Sequence, residues 1–157
     1  GGLIVNPPTG GDTSRSNSSL TTQLGNWYEA NETLGEVFDS SGGFRLSNGA
    51  TRSPDAAWVS RERWDALNPQ QRKGFVPLRP DFVVELRSPS DSLSTLRTKM
   101  LEYLENGTQL GWLIDPQYHR VEIYRPGQTV EVLENPIELS GEAILPGFVL
   151  NLRRILG

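Results

Sequence analysis

The chain has 157 residues, no cysteine, one histidine and a formal net charge of −4. A single domain of this size buries enough apolar surface to fold without disulfides or metals. This amino-acid composition excludes thiolate metal sites, cysteine nucleophiles and sites built from several histidines. Carboxylates, lysine and hydroxyls must therefore supply any chemistry.

The start of the chain predicts neither export nor insertion into a membrane. No segment approaches the roughly 20 apolar residues of a membrane span, and residues 1–6 lack the charged and apolar regions of a signal peptide. We therefore expect a cytoplasmic protein with no membrane partner and a single domain over residues 1–157. Because the chain begins without methionine, inside a strand-like stretch, we also expect that an N-terminal helix or strand segment is missing from it.

The first half of the chain is predicted to combine one long helix with short strands and turns. In order, these are a Pro- and Gly-rich loop at 7–14, a helix at 15–32 capped near Ser14 or Ser16, a strand at 35–39, a hairpin at 44–46 turning at Asn48-Gly49, a strand at 52–60 and one or two helical turns within 61–74.

The second half contains the most regular pattern. The predicted segments are a strand at 81–86, a stop and helix cap at 88–91, a helix at 92–106 ended by Asn106-Gly107, a strand at 110–115, a surface hairpin of strands 120–124 and 129–133, and a short helical piece after 145–148. Strands on either side of the long helix indicate a β-α-β unit. With the N-terminal helix and the hairpins, this predicts an α/β or α+β domain with a mixed central sheet.

Glu85 is the strongest candidate for chemistry, because of its place in the strand at 81–86. Side chains alternate along a strand, so Glu85 shares a face with Val83, and the opposite face (Phe82, Val84, Leu86) is predicted to be the core face. A carboxylate in mid-strand is costly unless it is paired, hydrated or bound to a cation. A solvated face, or an ion pair with Arg87, is an equally weighted alternative.

Asp55 and Lys99 are the next candidates. Asp55 precedes Ala56-Ala57, whose small side chains leave room for a ligand, although an acidic residue that stabilises a turn is at least as common. Lys99 lies at the flank of the apolar stripe of its helix, one turn before Tyr103, and its long stem could reach back over the sheet edge. Plain solvation is the usual state of such a lysine.

Two carboxylates on adjacent strands and a nearby lysine are typical of one kind of hydrolytic site. Carboxylates hold Mg²⁺, a hard cation that prefers oxygen ligands. The metal lowers the pKa of a bound water and offsets the charge of a phosphate, while the lysine orients or deprotonates the water and faces the developing negative charge. Nucleotide-loop, zinc-protease and serine-hydrolase motifs are absent, and His119 is expected in a surface turn.

The order of several short motifs resembles the Uma-two family of restriction-endonuclease-like proteins. The segments that carry the resemblance are residues 52–59 (RSPDAAWV), 80–91 (PDFVVELRSPSD), 99–103 (KMLEY), Gly107 and 111–116 (GWLIDP), with the loop at 7–11 and the tail at 145–148. Together they cover nearly the whole chain.

The resemblance implies the PD-(D/E)xK nuclease superfamily, with a restriction-endonuclease-like α/β/α core, a mixed sheet of about four strands, flanking helices and extra hairpins. It implies Asp55 and Glu85 as metal ligands. Arg87 occupies the usual position of the lysine, but a guanidinium does not deprotonate, so the resemblance points to Lys99 on the following helix. Arg87 is then a candidate phosphate contact, and Asp81 a candidate at the edge of the site.

The resulting hypothesis is a Mg²⁺-dependent (or Mn²⁺-dependent) endonuclease that hydrolyses DNA phosphodiester bonds. The catalytic residues expected are Asp55, Glu85 and Lys99, and the accessory residues are Asp81, Arg87 and Tyr103. Two alternatives stay open. The first is an inactive nuclease-fold module for binding or interaction, which the acidic net charge slightly favours. The second is a structural domain that forms a homodimer through exposed strands at 120–133.

Two details of the site follow from the resemblance and the charge. Family members usually carry a further acidic residue upstream, for which Glu29, Glu32 and Glu36 are substitutes that the sequence cannot rank. Because the net charge opposes DNA binding, a local basic patch is also expected, and Arg87, Arg97 and Lys99 are its candidates.

Overall fold

The computed structural model describes residues 10–157, which form four helices and ten strands. The helices are α1 (Gly11–Ala30), α2 (Arg61–Asp65), α3 (Leu93–Glu105) and α4 (Arg153–Leu156). The strands are β1 (Gly35–Asp39), β2 (Phe44–Arg45), β3 (Thr51–Arg52), β4 (Ala56–Ser60), β5 (Phe82–Leu86), β6 (Leu110–Asp115), β7 (Arg120–Tyr124), β8 (Glu131–Glu134), β9 (Glu138–Ser140) and β10 (Val149–Asn151). The predicted strand in residues 1–6 lies outside the described residues.

The central sheet has six strands in the order β1-β4-β5-β6-β7-β8. Only β5 and β6 pair in parallel, and α3 connects them, which confirms the predicted β-α-β unit and the mixed sheet. All other neighbours in this sheet are antiparallel. The sheet is larger than the four strands expected, because β1 and β8 extend it at its two edges.

Both faces of the sheet are covered, which gives the α/β/α arrangement. One core contains α1 and α4, with Leu20, Leu24 and Trp27 packed against one face. The other contains α3, whose Met100 and Tyr103 are fully buried against the opposite face. Strand β5 contributes to both cores. The prediction that only one of its faces is core was therefore incomplete, since α3 covers the other.

The N-terminal helix begins earlier than predicted. It starts at Gly11 and its N-cap is Gly10, whose side chain offers no cap, while Ser14 donates its backbone N–H to the Gly10 carbonyl at 2.9 Å. Ser16 is buried and donates its hydroxyl to the carbonyl of Ile155 at 3.4 Å. The serines that resembled caps therefore lie inside the helix, and one of them connects α1 to α4.

The segment predicted as one strand at 52–60 is broken. Residues 53–55 form a bend between β3 and β4, and β3 instead pairs with β2 across the predicted Asn48-Gly49 turn. Gly49 has a φ of 87°, which glycine adopts without strain. Pro54 has no N–H to donate to a ladder. The bend therefore places Asp55 just before β4.

The predicted surface hairpin lies largely inside the sheet. Strand β7 runs between β6 and β8, and four of its five residues are buried, so it is not an exposed strand. Of the two strands in the predicted hairpin, only β8 lies at an edge of the sheet. The pair β9–β10 was not predicted, because strands of three residues are too short to show a clear alternation. Residues 68–74 form turns rather than a second helical piece.

A pair of glycine substitutions tests the packing of β1 on β4. A Cβ at Gly35 would lie 2.3 Å from the Val59 carbonyl oxygen, whereas one at Gly25 in α1 would meet nothing within 4 Å. We expect Gly35→Ala to lower the free energy of unfolding by about 3 kcal/mol, and Gly25→Ala to raise it by about 0.5–1 kcal/mol. Urea denaturation measures both, and a Gly35→Ala variant as stable as the wild type would contradict the packing.

Candidate active site

Three elements bring Asp55, Glu85 and Lys99 to one cleft. Strands β4 and β5 are antiparallel with Ala56 opposite Val84, so the next position along sets Asp55 opposite Glu85. Helix α3 crosses this end of the sheet and adds Lys99. The cleft has a volume of about 630 Å³. Its lining is mostly polar and consists of residues 10–13, Asn17, Ser53, Asp55, Glu85, Leu86, residues 88–91, Leu96 and Lys99.

Asp55 connects the start of β4 to the end of β5. Its Oδ2 accepts a hydrogen bond from the backbone N–H of Leu86 at 2.7 Å. Burial raises the pKa of the Asp55 carboxyl, and the negative charge of Asp91 adds to this effect, while the Leu86 N–H and the Lys99 ammonium oppose it. Asp55 therefore joins two strands rather than closing a local turn, and its second oxygen is left for the cleft.

Glu85 is only 5% exposed, which rules out the solvated-face alternative. Its Oε1 accepts a hydrogen bond from the Tyr103 hydroxyl at 3.1 Å, and its Oε2 lies 3.7 Å from the Lys99 Nζ. Burial raises the pKa of Glu85 to about 7, Lys99 and Tyr103 act to lower it, and the nearby Asp55 and Asp91 charges raise it. The Lys99 ammonium therefore offsets only part of the effect of burial on this carboxyl.

Tyr103 is a residue of α3 that hydrogen-bonds to Glu85 in the core between α3 and the sheet. Its side chain is fully buried. Burial raises the pKa of the Tyr103 phenol above its ordinary value, and the adjacent Glu85 charge raises it further. The hydroxyl therefore stays protonated and donates to the carboxylate, which leaves the other oxygen of Glu85 directed to Lys99.

Two acidic residues of the cleft were missed as site candidates. Asp91 lies in the loop between β5 and α3, where its Oδ2 accepts hydrogen bonds from the N–H and the hydroxyl of Ser88, both at 2.9 Å. The sequence assigned it to a helix cap, but Ser92 is the N-cap of α3. Asp12 approaches from the first turn of α1. No sequence signal could have found it, because α1 and β5 are distant in the chain.

Asp81 and Arg87, two of the predicted accessory residues, do not line this cleft. Asp81 lies four residues before Glu85, about 13 Å along the strand. Its Oδ2 accepts from the Ser60 N–H at 2.8 Å and pairs with Arg63 at 2.9 Å, and Arg79 contacts its other oxygen. Asp81 therefore forms structural ion pairs just before the start of β5, at the end of the strand away from the cleft.

Arg87 pairs with a buried partner that the sequence did not suggest. Its Nη1 lies 2.9 Å from the Oδ2 of Asp115, which is 3% exposed, so the expected alternative of a pair with Glu85 is wrong. Arg97 likewise binds buried Glu122 at 2.7 Å. Burial acts to raise the pKa of Glu122, but hydrogen bonds from Arg97 and Tyr124 bring it below its ordinary value. The patch predicted from Arg87, Arg97 and Lys99 is therefore neutralised by carboxylates.

The three glutamates proposed as an upstream acidic ligand lie elsewhere. Helix α1 has 20 residues and is about 30 Å long, with its first turn at the cleft. Glu29 and Glu32 are exposed at its distant end. Glu36 pairs with Arg61 at 2.9 Å beside the edge strand β1. None of them lines the cleft.

A comparison with protein families identifies the family of the chain. Residues 1–153 match the Uma2 family, whose description is "Putative restriction endonuclease". The chain belongs to this family. The resemblance noted from the motifs is thereby confirmed, and the family is one of nucleases by its description. None of the curated proteins matches the chain.

A solved structure from the same kind of protein shares the fold. It is the crystal structure, at 1.96 Å, of a protein from Anabaena variabilis ATCC 29413 described as a putative nuclease of DUF820. The TM-score is 0.78 at 23% identity, over 98% of this chain and 84% of the other. At that identity the likeness supports the nuclease fold alone. None of the helices in residues 10–157 combines the length and apolar character that crossing a bilayer requires.

The oxygen atoms of the cleft fit a hard divalent cation. The donors available are carboxylates and backbone carbonyls, without sulfur or imidazole, and the raised pKa values of Asp55 and Glu85 show that a positive charge would stabilise their ionised forms. Within residues 10–157 no three Asp, Glu, His or Cys side chains form a ready-made metal site. Water or a substrate phosphate would have to complete the ligand set, as is common for Mg²⁺.

Glu85 makes stability depend on pH. Its pKa of about 7 in the folded chain exceeds its ordinary value of 4.5, so its stabilising contribution is fully present below pH 4.5 and is lost as the pH rises through 7. The loss corresponds to about 3 kcal/mol. We expect Glu85→Gln to be clearly more stable than the wild type at pH 8, and close to it at pH 4.5, in chemical denaturation with EDTA.

The matched control for this experiment is Asp65→Asn, because the Asp65 side chain is 57% exposed. It should follow the wild type at both pH values. A Glu85→Gln variant that loses stability between pH 4.5 and 8 as steeply as the wild type would show that Glu85 is not the titrating group.

Proposed function

We propose that the chain is a metal-dependent endonuclease that hydrolyses DNA phosphodiester bonds. The observation that carries the proposal is the convergence of Asp55, Glu85 and Lys99, from three separate elements, on one cleft. Membership of a family described as restriction endonucleases supports the same reaction. The proposed metal ligands are Asp55 and Glu85, and the proposed metal is Mg²⁺ or Mn²⁺.

The metal would supply a bound water of lowered pKa and positive charge at the scissile phosphate. Asp55 and Glu85 would hold it from the start of β4 and from β5, and each is already positioned by the protein. The Leu86 N–H fixes one oxygen of Asp55, and the Tyr103 hydroxyl fixes one oxygen of Glu85. Each carboxylate therefore keeps one oxygen outside these two hydrogen bonds, which would be available to the cation.

Lys99 supplies the second positive charge of the site. Its Nζ lies 3.7 Å from Glu85 and its side chain is about a third exposed, so it can face a phosphate in the cleft without losing its carboxylate partner. In that position its ammonium orients the attacking water and stabilises the charge that develops on the phosphate. Preorganised charges of this kind typically contribute 10²–10³-fold to a rate.

The alternative of an inactive binding module is favoured by one observation. Within the described residues no three potential ligands lie close enough together to form a metal site by themselves. Mg²⁺ is nevertheless commonly held by one or two carboxylates together with substrate phosphates. Turnover is therefore the quantity that separates the two functions.

Plasmid cleavage with Mg²⁺ or Mn²⁺ tests the proposal. We expect Asp55→Ala and Lys99→Ala each to lower the cleavage rate by about 10²–10³-fold, because each removes a group that stabilises the transition state. Lys73→Ala is the matched control for the lysine, since Lys73 is the only other lysine and is exposed in a turn. It should cleave at the wild-type rate. Equal rates in all four proteins would show that the site is misassigned.

Metal binding can be measured without activity. A ligand that binds only the folded state at ten times its Kd stabilises it by about 1.4 kcal/mol. We expect excess Mg²⁺ to raise the melting temperature of the wild type and of Asp65→Asn, but not that of Asp55→Ala or Glu85→Gln. An equal rise in all four proteins would place the metal outside the cleft.

A further inference from the structure

Positive charge that is not neutralised is concentrated on one side of the molecule. The chain has 15 basic residues, and ten of them form ion pairs within residues 10–157. The others are Arg15, Arg45, Lys73, Arg153 and Arg154. Three of these five, Arg15, Arg153 and Arg154, line cavities beside the candidate active site. We call these three residues the arginine track.

The track is continuous with the cleft. A cavity of about 490 Å³ shares Asp12, Thr13 and the start of the β5–α3 loop with the cleft, and also contains Arg15 and Arg154. A second cavity of about 360 Å³ contains the same two arginines and adds Arg153. The three cavities therefore form one path, which runs from the carboxylates past α4 and along α1.

The remaining lining of the second cavity is polar. It contains the hydroxyls of Ser18, Ser19 and Thr22 and the side-chain amide of Asn151, while the Gln23 amide is engaged with Ser19 and with the backbone of Asn151. Hydroxyl, amide and arginine groups are those that proteins use to contact the nucleic-acid backbone. From Arg15 to Thr22 the helix rises about 10 Å, a length that corresponds to about three phosphates of one strand when measured along the axis of a DNA duplex.

We propose that the arginine track binds the phosphodiester backbone of a DNA strand whose neighbouring segment lies in the carboxylate cleft. This inference rests on the proposed function for its ligand. It also accounts for how a chain of net charge −4 could hold DNA. The ion pairs with Asp115, Glu122 and Glu85 occupy Arg87, Arg97 and Lys99, and the exposed track supplies the attraction that those residues do not.

The test compares two double variants that each remove two positive charges. Arg153→Ala/Arg154→Ala alters the track, and Arg45→Ala/Lys73→Ala removes the two unpaired basic residues outside it. Binding of a fluorescent DNA duplex is measured by anisotropy in EDTA, where no cleavage occurs, over a range of salt concentrations. We expect the track variant to bind at least tenfold more weakly at low salt, and its slope of log K against log salt to fall by about 2.

The control double variant should keep the wild-type slope, and Arg153→Lys/Arg154→Lys should largely restore it. All four residues are exposed, and thermal melts verify that each of the three variants is folded. Equal weakening in both alanine variants would mean that only net charge matters, and would overturn the track. The proposal for the track would also be overturned if the track variant bound DNA as tightly as the wild type, or if the wild type did not bind DNA at all.

The outcomes for the track and for catalysis are separable. Asp55→Ala should lose cleavage while it keeps the track-dependent salt slope. A wild type that binds DNA through Arg153 and Arg154 but never cleaves it would contradict the proposed function and support the track. A wild type that cleaves plasmid, together with a track variant whose DNA binding is unchanged, would support the proposed function and contradict the track.

Discussion

Glu85 lies near the end of a strand that is buried on both faces, and this burial constrains everything around it. An unpaired carboxylate in such a place costs several kcal/mol. The Tyr103 hydroxyl and the Lys99 ammonium offset part of that cost, yet the pKa of Glu85 still rises to about 7. An added positive charge would stabilise the ionised form of this side chain, so the burial that α3 imposes on Glu85 is also what would favour the proposed cation in the cleft.

The same face of the sheet contains two further buried acidic residues. Leu113 in β6 is paired with Glu85 in β5 and with Glu122 in β7. Asp115 lies two residues after Leu113 in β6 and therefore on the same face. Each of the three carboxylates receives one cation from α3 or from the loop that precedes it. These pairs hold α3 in register with the sheet. They also neutralise the basic residues nearest the cleft, so that the proposed DNA binding would depend on more distant arginines.

The sequence predicted the local elements near the site well, and for identifiable reasons. The strands at 35–39 and 110–115 were predicted at their observed boundaries, because β-branched and aromatic residues are bounded there by Gly, Asp and Pro. The motif order also identified the family, and it singled out Asp55, Glu85 and Lys99, which the structure brings to one cleft. The errors concern elements without such signals, namely the start of α1, the bend at 53–55 and the short pair β9–β10.

What the sequence by itself determined is therefore which residues are candidates for chemistry and which segments are strands or helices, since both follow from residue type and short-range periodicity. Tertiary structure alone decided what each charged group faces. Periodicity assigned Glu85 to a face of its strand but could not tell that α3 covers it, that Arg87 turns to Asp115, or that Asp12 and Asp91 enter the cleft. The arginine track depends on the same kind of information, because Arg15 and Arg154 are 139 positions apart in sequence and meet only where α1 packs on α4.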